Sequence, residues 1–118
     1  MKTLLFLSLV LPVALLAKKT PDSIEQKLEY VTKVDQALEA SKKETDDLKA
    51  RIRFAPHKNH RKIEYLIDKL KKEQKEAEPL LEQLRIARED EWSSFKPKLD
   101  SILKDMSKDE KEAESLQK

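Results

Sequence analysis

Between Trp92 and Leu116 the apolar residues keep a beat of threes and fours. Trp92, Phe95, Leu99, Ile102, Met106, Ala113 and Leu116 hold the beat, with Asp109 as the one polar member. On a helix that spacing stacks side chains into a single stripe, and sustained over heptads it is the seam of a coiled coil. Trp92, Phe95, Leu99, Ile102 and Met106 are its strongest packing positions. A stripe of this kind must be covered by something, and the rest of the chain offers further helices with similar stripes.

Composition supports a helical answer. The 118 residues include no glycine, where average usage of about 7% would supply roughly eight. Glycine serves tight turns, bulges and phosphate loops, so β-rich folds, P-loops and dinucleotide fingerprints are all disfavoured together. Charged residues reach 41% and aromatics 5%, which is the composition of long helices. No cysteine is present, which removes disulfides, thiolate catalysis and thiolate metal sites.

Residues 1–17 have the layout of a secretory signal peptide. Lys2 is followed by an apolar run from Leu4 to Leu16, broken only by Ser8 and Pro12, with Ala17 before the expected cut. The run falls short of the ~20 apolar residues that a retained membrane helix needs. The expected location is therefore secreted or periplasmic, with no transmembrane segment after cleavage.

Residues 18–118 then form one domain. Thr20-Pro21-Asp22-Ser23 carries helix-start chemistry, with Glu25 three residues after Asp22. Apolar positions at Ile24, Leu28, Val31, Val34, Leu38, Leu48 and Ile52, with polar interruptions at Ser41 and Thr45, predict a helix over about 22–54. Phe54-Ala55-Pro56 breaks it, because a proline disfavours a helical residue before it, and Asn59 is placed to cap the next helix. Ile63, Leu66, Ile67, Leu70, Gln74, Ala77, Leu81, Leu84 and Ala87 predict that second helix over 58–94, kinked at Pro79. Ser93-Ser94-Phe95-Lys96-Pro97 reads as a turn, and a third helix covers about 98–116. The predicted fold is all-α with no β structure: a long antiparallel helical hairpin, coiled-coil-like, with a third C-terminal helix. A thin core of this kind points to oligomerisation, so a homo-oligomer is expected.

Charge is distributed unevenly. From Lys49 to Lys72 nine basic residues face only Glu64 and Asp68, while 22–47 and 73–91 are both net acidic. In a hairpin the basic cluster lands at the tip and the acidic stretches along the stalk. Arg51, Arg53, Lys58, Arg61 and Lys62 are the candidate binding residues, suited to an anionic surface or an acidic protein client. Export argues against nucleic acid. His57 and His60 lie at the same tip and would add positive charge on acidification. Two histidines without a third or a cysteine fall short of a zinc ligand set, and no cofactor or metal is expected. Carboxylate clusters such as Asp46-Asp47 and Glu89-Asp90-Glu91 are ordinary on helices this charged. With no triad evident, the chain is not expected to be an enzyme.

Two resemblances accompany this layout. An exported, cysteine-free helical hairpin with a basic tip is similar to the periplasmic holdase chaperones of the Skp type, which implies client binding. Phe95-Lys96-Pro97, followed by Ile102-Leu103-Lys104-Asp105-Met106-Ser107, resembles the C-terminal half of the secreted nematode SXP proteins, over a minor part of the chain. Neither is taken as membership. The expected function is an exported helical binding or assembly protein whose basic tip meets an anionic surface or client. A structural spacer or assembly subunit is the first alternative. The second is a carrier holding an apolar ligand around Trp92 and Phe95.

Overall fold

The computed structural model describes the side chains of residues 24–118. The expected signal peptide and the helix-start residues Thr20–Ser23 lie outside those residues. Three helices are present: α1 (Lys2–Arg51), α2 (His60–Ile86) and α3 (Lys96–Leu116). No strand occurs among the described residues. Single 3-10 turns at Ile52–Phe54, His57–Asn59 and Trp92–Phe95 join them. A helical hairpin with a third helix packed back on it is therefore the architecture, and every helix touches both others.

The links are built without left-handed residues, as a chain lacking glycine requires: no described residue has positive φ. Ala55 is extended at φ −75°, ψ 159°, which is where Pro56 drives its predecessor. Ala87 ends α2 in the same way, at φ −69°, ψ 148°. The second helix thus stops at Ile86 and not near Ser94, and α2 runs through Pro79. Lys27 on α1 caps that end. Its Nζ donates to Arg85 O at 3.0 Å and Ala87 O at 2.6 Å, placing a cation on carbonyls at the negative end of α2. Pro97 sits in the first turn of α3, where its missing N–H costs nothing.

One core runs between the helices. Tyr30, Val34, Leu38 and Leu48 from α1 meet Ile63, Leu66, Ile67, Leu70, Ala77, Leu81 and Leu84 from α2. Trp92, Leu99, Ile102, Met106 and Ala113 complete it, with Phe95 half-buried against them. The stripe from Trp92 to Ala113 is thus covered by the chain's own α1 and α2. At the other end of α1 the seam begins at Tyr30, not Ile24. Ile24 and Leu28 are 42% and 59% exposed, because α2 ends level with Lys27 and no helix stands opposite them.

The polar interruptions of the three stripes meet at one level. Gln74 Nε2 donates to Ser41 Oγ at 2.9 Å and Thr45 Oγ1 at 3.0 Å, and Thr45 Oγ1 donates to Ser41 O at 2.8 Å. Beside them Lys69 Nζ donates to Asp109 Oδ1 at 3.3 Å. Glu73 is buried against Asp109 and its carboxyl is pushed up to about 8. Burial is the main cause, followed by the hydrogen bond with Asp109 and the negative charge there. Glu73 Oε1 and Asp109 Oδ2 are buried without a hydrogen-bond donor, which fits a carboxyl that favours its protonated form.

Candidate functional site

The end of the bundle where α1 turns into α2 is the basic tip. The carboxyl end of α3 arrives at the same place, because Asn59 Nδ2 donates to Leu116 O at 3.0 Å. The sequence assigns Asn59 to the cap of α2, but its side chain makes no such bond and instead ties α3 to the loop. The loop is pinned from within as well. Ala55 N donates to Ile52 O at 3.0 Å, Asn59 N donates to Pro56 O at 2.9 Å, and His60 Nε2 lies 2.9 Å from Ala55 O. Ala55 is buried beneath the core end. With Ala55 turned inward, its neighbour Phe54 is turned out and is 74% exposed.

The five candidate residues divide by what surrounds them. Arg51 belongs to the fold: it pairs with Asp47 at 2.7 Å and with Glu114 of α3. There it balances a group of three carboxylates, Glu44, Asp47 and Glu114, whose ligand-capable oxygens lie within 4.8 Å of one another. The Glu44 carboxyl is pushed up to about 7, first by burial, then by the hydrogen bond and charge of Glu114. Lys62 lies 4.0 Å from Glu112, with its ammonium 5.3 Å from the ring centre of Tyr65. Arg53, Lys58 and Arg61 are exposed, and no ion pair holds them among the described residues. The Arg53 guanidinium lies 4.9 Å from the Phe54 ring centre, a cation–π contact.

Positive charge continues from the tip along the α1–α2 face. Lys71 is shifted below the usual lysine range by its contact with Lys49. The two ammonium groups lie close together, with Asp68 and Asp46 offsetting part of their mutual repulsion. Lower on the stalk two cations are paired: Lys42 meets Glu78 at 2.8 Å, and Arg85 meets Glu82 at 2.8 Å and Asp35 at 3.3 Å. What marks the tip is the gathering of cations beside exposed aromatic side chains, Phe54 and Tyr65, the latter 57% exposed.

The opposite end holds Trp92. Its ring centre is 6.1 Å from that of Tyr30, and the Tyr30 hydroxyl donates to Asp100 Oδ1 at 2.6 Å and Lys96 O at 3.2 Å. Burial and the Asp100 carboxylate hold the Tyr30 hydroxyl well above the usual phenol range. The adjoining groove is lined by Gln26, Glu29, Lys33 and Lys96 as well as the two rings. Trp92 and Phe95 pack the core there.

Sequence reasoning placed the five cations but could not sort them. One signal was legible: Asp47 and Arg51 are four apart on a helix, a spacing that pairs charges. The approach of Glu114 and Glu112 depends on α3 folding back, which no local pattern reports. Among the described residues no helix is long and apolar enough to cross a membrane. No protein family, curated protein or solved structure matches this chain.

Proposed function

We propose that this chain is an exported helical binding protein whose basic tip contacts an anionic surface or an acidic client, with the bundle as a stiff handle. The observation that carries this reading is the grouping of Arg53, Lys58 and Arg61 with exposed aromatic rings. These three exposed cations stand at one end of the bundle without ion-pair partners, beside Phe54 and Tyr65. Unpaired surface charge of one sign raises the local concentration of counter-charged partners and speeds their encounter. Arg51, and to a lesser degree Lys62, are spent on internal pairs, so the binding set narrows to the other three.

The test compares two triple charge reversals of equal size. R53E/K58E/R61E alters the tip, and K43E/K75E/K98E alters exposed lysines on the stalk. Retention on immobilised heparin is read against salt, with circular dichroism confirming equal helicity. The tip variant should elute at much lower salt than the stalk variant. Equal losses would show that net charge, and not the tip, governs binding, and would overturn the reading.

A further inference from the structure

We propose that the partner of this tip is an anionic lipid bilayer, with Phe54 entering the interfacial layer while Arg53, Lys58 and Arg61 lie among the headgroup phosphates. This rests on the reading of the tip as an anion-binding end and adds what the anion belongs to. Three features point to lipid over protein. First, the apex is convex and small. Its outward side chains are Arg53, Phe54, His57 and Lys58, whereas a stable protein interface buries about 800 Å² per partner. A bilayer needs no matching concave surface and accepts a single inserted ring. Second, the exposure of Phe54 is enforced. Ala55 is buried, the 3-10 turns on either side are hydrogen-bonded, and Asn59 is tied to Leu116, so the ring is held out at no further ordering cost. Third, cations flank the ring on both sides in sequence, as interfacial anchoring requires. An aromatic body suits the acyl boundary and the cations suit the phosphates.

The full chain is tested on phosphatidylcholine vesicles with and without phosphatidylglycerol. The single native tryptophan, Trp92, lies at the opposite end of the bundle. A Phe54→Trp variant therefore reports the tip, and the wild type serves as its control. Brominated lipid should quench the added fluorescence of the variant on anionic vesicles and leave the wild type nearly unchanged. The apolar run Leu4–Leu16 cannot imitate that signal, because the bromines must reach residue 54. Phe54→Ala should weaken partition about tenfold, the usual worth of a buried aromatic ring. Loss of each tip cation should weaken it about fivefold. If vesicles bind in a salt-sensitive manner but the Phe54→Trp variant is not quenched and Phe54→Ala binds normally, insertion is overturned and the electrostatic tip stands. If no vesicle binds while heparin retention still depends on the tip, the lipid partner is overturned and an acidic protein or polyanion takes its place. If neither binds, both readings fall.

Discussion

At the scale of single residues, neighbouring arginines have opposite roles. Arg51 sits among Asp47, Glu114 and the half-buried Glu44, so its removal leaves those carboxylates facing one another. Arg51→Ala should lower the melting temperature. Arg53 is exposed, lies against the Phe54 ring and has no ion pair among the described residues, so Arg53→Ala should stay within about 0.5 kcal/mol of wild type, as surface changes usually do. Thermal unfolding of both variants in one buffer checks the contrast. A residue-level reading of the sequence treats the two as one basic run. They differ because α3 brings Glu114 to Arg51 and brings nothing to Arg53.

At the scale of elements, the polar layer through the middle of the bundle sets the register of the helices. Gln74 can bond Ser41 and Thr45 only when α1 and α2 are aligned as observed. Gln74→Ala should cost about 1–3 kcal/mol in urea unfolding, because buried hydroxyls lose their donor. The replacement T45V/Q74L, which keeps Ser41 as donor to the half-buried Glu110 carboxylate, should be less destabilising than Gln74→Ala, since fewer buried polar groups are then left unpaired. Within α2, Leu84→Ala should cost about 2–5 kcal/mol, because Leu84 is fully buried and the site cannot collapse around the gap. Ile86 is 85% exposed two residues on, and Ile86→Ala should leave the unfolding midpoint almost unchanged.

For the whole molecule the pH dependence of stability has a definite sign. Glu73 binds its proton up to about 8 in the folded chain, and Glu44 up to about 7; an unfolded glutamate releases it near 4.3. Between those values the folded state holds more protons, so stability falls as pH rises. Melting temperature should therefore be higher at pH 5.5 than at pH 8.5, the reverse of ordinary acid sensitivity. Glu73→Gln, which keeps a neutral group against Asp109, should flatten much of that slope. An unchanged slope would show that Glu73 does not carry the proton.

Much of the fold was legible in periodicity. The stripe from Trp92 to Met106, the break at Ala55-Pro56 and the spacing of Leu66, Leu70, Ala77, Leu81 and Leu84 follow from where apolar side chains must lie on a helix. Local chemistry also foretold that Ser41, Thr45, Gln74 and Asp109 interrupt the stripes. What the sequence by itself determined, then, was helicity, the buried faces and the gathering of cations near one bend. The tertiary structure alone decided that α1 and α2 cover the α3 stripe, and that four polar interruptions share one level. It also decided that Lys27 caps α2, and that Arg51 is neutralised while Arg53, Lys58 and Arg61 are not. Those outcomes depend on groups roughly 30 to 70 positions apart being brought within hydrogen-bond reach. Local propensity carries no information about such distances, because closing the chain is a property of the packed whole.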